Sequence, residues 1–191
     1  MKRKLVVAFL ACSLLASIAL AQAPPQTPKP APELKKFDQF VGKWVGEGES
    51  KESPFGPAGK YTYTERNEWF PGGFFLVSNS EYKGTMGTGK GMAFMGYDPE
   101  DKVYTYNAID SLGFAVAAKG TLEGDTWTWL SESKMGGKPV KSRFVITMLS
   151  PTSQTFKFEM ADDKGNWQPI MEGKSNKVTG AKAKAPAKGK P

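Results

Sequence analysis

From residue 44 onward, hydrophobic and polar positions alternate in short runs. Thr126-Trp127-Thr128-Trp129 puts both tryptophans on one face, and Phe156-Lys157-Phe158-Glu159-Met160 alternates apolar with charged. Tyr61-Thr62-Tyr63-Thr64 and Val103-Tyr104-Thr105-Tyr106 repeat the period with aromatic and threonine. Successive side chains of a strand point to opposite faces, so a period of two predicts strands with one buried face. Ten runs fit: 44–51, 60–70, 74–82, 90–97, 102–109, 114–122, 126–133, 140–149, 154–161 and 167–178. Turn chemistry separates them, as in Pro71-Gly72-Gly73, Asp98-Pro99-Glu100-Asp101, Glu123-Gly124-Asp125, Gly136-Gly137-Lys138-Pro139, Ser150-Pro151-Thr152-Ser153 and Asp162-Asp163-Lys164-Gly165-Asn166. Links this short join antiparallel neighbours and leave no room for a parallel crossover. The expected fold is all-β: an antiparallel up-and-down meander of about ten strands. It closes most naturally into a barrel, with a two-sheet sandwich as the competing arrangement.

Ahead of the strands the period changes. Leu34, Phe37, Phe40 and Val41 share one helical face and Gly42 ends the run, which predicts a short N-terminal helix. Residues 22–33 are rich in proline and read as a semi-extended linker. The first 21 residues have the parts of a secretory signal peptide. Lys2, Arg3 and Lys4 precede the apolar stretch Leu5 to Leu20, and Ala19-Leu20-Ala21 offers small residues for cleavage after Ala21. A membrane anchor would be expected to end in a basic stop-transfer cluster, and Phe9-Leu10-Ala11-Cys12 is a poor lipidation site. The expected location is periplasmic or extracellular, with no transmembrane span after cleavage.

Charge sharpens this picture. The formal charge of +7 resides at the two ends: three basic residues leave with the signal peptide, and Lys182, Lys184, Lys188 and Lys190 lie in the tail 180–191. Residues 22–179 are formally neutral, so the domain lacks the basic excess expected of a specific nucleic-acid binder. The Lys/Ala/Pro tail holds no large apolar residue and reads as disordered. Its lysines suit weak contact with anionic surfaces. The chain holds no histidine, and its single cysteine, Cys12, lies in the signal peptide. A mature domain of this composition lacks disulfides, thiol chemistry and the commonest zinc and haem ligands. No cofactor or metal is expected.

The motif Gly42-Lys43-Trp44, after a short helix and at the head of the first strand, resembles the Gly-x-Trp signature of lipocalins. Gly42 and Trp44 would then close one end of the barrel. A wider pattern resembles the bacterial, calycin-like family DUF1579. It runs through Leu34 to Trp44, Arg66, Pro71-Gly72-Gly73, Gly96-Tyr97-Asp98-Pro99, Phe144, Ser150-Pro151, Gly165-Asn166-Trp167 and Met171-Glu172. The resemblance spans about 34–178 and implies a lipocalin-type barrel without an assigned activity. The related nitrobindin-like barrels bind haem through a histidine, which is missing here.

Among candidate chemical features, Gly84-Thr85-Met86-Gly87-Thr88-Gly89-Lys90 fits seven positions of a phosphate-binding loop, but Gly91 stands where Ser or Thr must hold magnesium. It reads instead as a glycine-rich hairpin loop that would serve as a lid. Asp98/Glu100/Asp101 and Asp162/Asp163 lack calcium-loop spacing and read as turn residues. The mature chain keeps two arginines. Arg66 shares a face with Thr62 and Thr64; if that face points inward, Arg66 is a headgroup anchor, and otherwise it is a surface ion-pair residue. Arg143 lies opposite Phe144, Ile146 and Met148 and reads as exposed. Tyr61, Tyr63, Tyr104, Tyr106, Trp127, Trp129, Phe156 and Phe158 are candidate cavity-lining residues, since a barrel of about ten strands is too wide for side chains to fill entirely.

The expected function is non-catalytic binding of a small lipophilic ligand in the barrel, with Arg66 or a tyrosine hydroxyl orienting it. Two alternatives stand beside it. One is an enzyme acting on such a ligand through a cavity carboxylate or tyrosine, and the other is a structural or interaction module of the cell envelope.

Overall fold

The computed structural model describes residues 28–85 and 87–179. The expected signal peptide, the start of the linker and the Lys-rich tail lie outside the described residues. A 3₁₀ helix, Pro32–Phe40, leads into ten strands: β1 (Gly42–Ser50), β2 (Gly59–Trp69), β3 (Leu76–Gly84), β4 (Gly87–Asp98), β5 (Val103–Asp110), β6 (Ala115–Glu123), β7 (Thr126–Met135), β8 (Lys138–Ser150), β9 (Ser153–Ala161) and β10 (Trp167–Lys177). Each strand pairs antiparallel with its sequence neighbours, and β1 pairs with β10 from Trp44↔Lys177 to Ser50↔Met171. The sheet is therefore a closed barrel, and the sandwich alternative falls away.

The helix is 3₁₀ because its buried residues, Leu34, Phe37 and Phe40, recur every third position. That interval stacks side chains in line when a turn takes three residues. Its apolar edge caps one end of the barrel. Phe37 is fully buried, with ring centroids 5.0 Å from Trp127, 5.2 Å from Tyr104 and 6.3 Å from Trp129. Burying one such ring is worth about 1.5–3 kcal/mol, so the plug stabilises the barrel as well as closing it. Gly42 turns the chain from helix into β1 at φ +120°, a conformation costly for any residue with a Cβ. Trp44 then enters the plug, and its indole Nε1 donates to the Phe40 carbonyl at 2.7 Å. Asn67 Nδ2, at the end of β2, donates to the same carbonyl at 3.1 Å. Gly42 and Trp44 thus stand at the helix end of the barrel.

Candidate functional site

The burial of Trp44 sets the inner face of β1, which continues through Gly46 and Gly48. Register carries that face to β2, where Gly46 pairs with Tyr63 and Gly48 with Tyr61. The inner face of β2 is therefore Tyr61, Tyr63, Glu65 and Asn67, and the threonine face points to solvent. Arg66 goes with the threonines. Its guanidinium lies on the outer wall, 3.2 Å from the Glu68 carboxylate, and its side chain is 73% exposed. The headgroup-anchor possibility for Arg66 is thus corrected to the surface ion pair, because the glycines of β1 leave inward room that the tyrosines fill.

Above the plug, six inward side chains form a ring around the barrel. Tyr63 meets Phe156 at 5.7 Å between centroids, and Phe156 meets Phe144 at 5.9 Å. Phe144 pairs across strands with Trp129, and Trp129 meets Tyr106 at 5.5 Å. Glu65 closes the circuit between Tyr106 and Tyr63, close enough that its charge raises the pKa of both hydroxyls. Small residues fill the inner face between these: Gly46 on β1, Ser78 and Ser80 on β3, Gly91 on β4, Ala118 on β6 and Gly173 on β10. Tyr63, Glu65, Tyr106 and Phe144 are half-buried, whereas Trp129 and Phe156 are buried.

Glu65 and Phe144 are ring residues that sequence reasoning missed, and Glu65 is the ionisable one. Its carboxylate accepts from Asn67 Nδ2 at 2.5 Å. Burial pushes its pKa above the usual carboxylate range, and hydrogen bonds from Asn67 and Ser78 offset part of that push. Among the described residues, no salt bridge reaches it. Burial likewise raises the pKa of Tyr61, Tyr63 and Tyr106, which stay protonated donors at any ordinary pH. The Tyr61 hydroxyl is buried against Gly48 and has no hydrogen-bond partner among the described residues.

The mouth is at the opposite end from the helix. Phe55, in the loop between β1 and β2, lies across it, with its ring 5.7 Å from Phe114 of the β5–β6 turn and 6.2 Å from Phe158 of β9. A tight turn holds the loop, with Ser53 and Gly56 exchanging backbone hydrogen bonds at 3.0 Å. Thr85 Oγ1 donates to the Pro57 carbonyl at 3.2 Å and ties the loop to the β3–β4 hairpin. The stretch 84–90 expected to be a lid is mostly strand, with Gly84 paired to Gly87. Strand pairing takes up its glycines, and the covering element is the β1–β2 loop. Beside it, the Tyr82 hydroxyl donates to Asp110 Oδ2 at 3.1 Å.

The other predicted lining residues divide by height. Tyr61, Tyr63, Tyr106, Trp129 and Phe156 belong to the chamber, and Phe158 to its mouth. Tyr104 and Trp127 belong to the plug: Tyr104 Oη donates to the Glu33 carbonyl at 3.3 Å, and Trp127 is fully buried under Phe37 and Phe40. Arg143 lies on the outer wall as its alternation implied, but it is partly covered, pairing with the buried Glu159 carboxylate and stacking 4.5 Å from the Trp167 ring. Asp98 and Asp162 accept backbone N–H groups within their own turns. Two open depressions, of about 920 and 1000 Å³, lie on the outer wall among Thr, Lys and Glu side chains.

A family model described as "Protein of unknown function (DUF1579)" matches residues 29–177. No curated protein matches the chain. Among solved structures, the crystal structure of Rv2717c from M. tuberculosis superposes with a TM-score of 0.55 at 10% identity, covering 79% of this chain and 100% of that one. At that identity the likeness is one of fold. The S-type phycobiliprotein lyase CPES from Guillardia theta scores 0.48 at 10% identity, over 78% and 93% of the two chains. The structure of EF1p2_mFAP2b bound to DFHBI scores 0.41 at 12% identity, over 76% and 98%. Both of these are looser likenesses of shape.

Proposed function

We propose, for a chain that belongs to the DUF1579 family, the role of an exported carrier that holds a small lipophilic molecule in its barrel without transforming it. The observation that carries this reading is the inward ring of Tyr63, Tyr106, Trp129, Phe144 and Phe156, plugged below by Phe37 and with Phe55 lying across the mouth above. A concave, mostly aromatic chamber with few polar groups is the usual form of a small-molecule site. Burying apolar ligand surface would supply the affinity, and tyrosine hydroxyls would orient the ligand. Export rests on the N-terminal apolar segment, and N-terminal sequencing of the protein from a periplasmic or extracellular fraction should begin at Gln22.

Native mass spectrometry of the chain isolated without detergent tests the carrier reading. A small-molecule mass present in the native spectrum and lost on denaturation supports it. A bare protein mass that stays unshifted against a lipid extract would sink it. One observation favours a second reading, that of an enzyme. The Glu65 carboxyl, with its raised pKa, is the kind of group that serves as a general acid or base near neutrality. Conversion of a bound molecule by the native protein, lost in Glu65→Gln, would establish that reading instead.

A further inference from the structure

The sign of the chamber narrows what it would hold. Along the ten strands, the lysines and arginines point outward or stand at the barrel's ends. Lys177 is engaged at the plug, where its ammonium donates to the Gln39 carbonyl at 2.8 Å and sits 5.1 Å from the Trp44 ring centre. Inward, the ionisable groups are the tyrosines, Glu65 in the ring and Asp110 at the mouth. Around Glu65, β1 contributes Trp44 and Gly46, β3 contributes Ser78 and Ser80, and β5 contributes Tyr106. Its own strand adds Tyr63 and Asn67. None of these is a cation.

We infer that the ring is a site for a lipophilic cation, an apolar amine or quaternary ammonium whose charged head sits between the Glu65 carboxylate and the faces of Tyr63, Tyr106 and Trp129. The inference rests on the carrier reading and specifies its ligand class. A cation over the face of an aromatic ring is attracted by the ring's quadrupole, so a cation enclosed by several ring faces is attracted by each. A carboxylate inside such an enclosure supplies a charge-assisted partner that solvent screens little. The carboxylate and the ring faces both repel an anion. A cation also favours the ionised form of Glu65, so its binding releases a proton and strengthens as pH rises through the pKa of that group.

The test compares three probes of one shape on the full chain by isothermal titration calorimetry. These are benzyltrimethylammonium, its neutral isostere neopentylbenzene, and hydrocinnamate as the anion. The cation should bind at least tenfold more tightly than the isostere. That preference should vanish in Glu65→Gln. The wild-type comparison needs no variant, so misfolding of Glu65→Gln would not obscure it. Equal binding of cation and isostere, tighter binding of the anion, or a preference that survives in well-folded Glu65→Gln would overturn the inference and leave the carrier reading intact. If none of the three binds and no small molecule accompanies the native protein, the carrier reading itself fails.

Discussion

The Tyr63 ring lies across the backbone of Gly46 on the neighbouring strand, so close that a Cβ at position 46 would sit 2.2 Å from its Cε1 and 2.4 Å from its Cζ. Phe156 packs on the same ring at 5.7 Å and limits where Tyr63 can move. Gly46→Ala should therefore destabilise the barrel by about 1–3 kcal/mol, the usual cost of overpacking. In a Tyr63→Ala background the same substitution should cost much less. Urea denaturation of the four proteins in this double-mutant cycle checks it, and equal costs in both backgrounds would refute the steric account.

The two arginines should behave differently on truncation. Arg66→Ala removes an exposed pair with Glu68 and should change stability by less than about 0.5 kcal/mol, with ligand binding untouched. Arg143→Ala leaves the Glu159 carboxylate, whose side chain is 8% exposed, with only Lys157 at 3.9 Å, and strips the cover from Trp167. Because Arg143 is itself partly exposed, the cost should be about 1–2 kcal/mol rather than that of a fully buried pair. Thermal unfolding of the two variants separates the cases.

Stability should depend on pH through Glu65. Burial raises its pKa in the folded chain, so above the unfolded value of 4.5 the unfolded state releases this proton first. The unfolded state then binds fewer protons than the folded state, and stability falls as pH rises from that value to the folded pKa, beyond which the loss is complete. Glu65→Gln keeps an acceptor for Asn67 without the ionisation. The difference in unfolding free energy between variant and wild type should move in favour of the variant across that window. A difference that stays flat from pH 4 to 8 would contradict the burial of this carboxyl.

Phe55 should control traffic more than stability. Its ring bridges Phe114 and Phe158 across the mouth from a loop that contributes no strand. Phe55→Ala should leave the free energy of unfolding within about 1 kcal/mol of wild type, a modest value for a partly buried residue outside the main core. Association and dissociation rates of a bound probe should both rise, leaving the equilibrium constant little changed. Stopped-flow tryptophan fluorescence, with Trp129 as the reporter in the chamber wall, reads both rates.

Much of the barrel was legible in the sequence because period-two alternation runs through most of the strands. All ten predicted runs became strands with ends displaced by at most three residues, and Trp127 and Trp129 share the inner face as their spacing required. The inner face of β2 was not legible from β2 alone. In the run from Tyr61 to Arg66 both faces are amphipathic, and a wide interior accepts tyrosine and glutamate as readily as threonine. What decides the matter is Trp44-x-Gly46-x-Gly48 on β1, an inward face emptied of side chains that calls for large residues opposite. That pattern was in the sequence, but it points to Tyr61 and Tyr63 only once the register is known, and Glu65 follows from them by alternation. Phe55 was hidden differently. Flanked by Pro54, Gly56 and Pro57, it looks like turn material, and only the closure of the barrel brings Phe114 and Phe158 within its reach.

The pairing of β1 with β10 has a consequence for how the molecule comes into being. Every other neighbouring pair in the sheet is consecutive in sequence, joined by a turn or a local loop, and can zip up as the chain emerges, whereas Trp44 must wait for Lys177. Until that last seam forms, the meander is an open ribbon with two raw margins, each able to recruit a stray strand. Closing a loop of such length is a slow entropic step, so the seam is where folding and misassembly compete. Once shut, the ribbon offers no margin to another chain, and residues far apart in the sequence are held in a single cooperative unit.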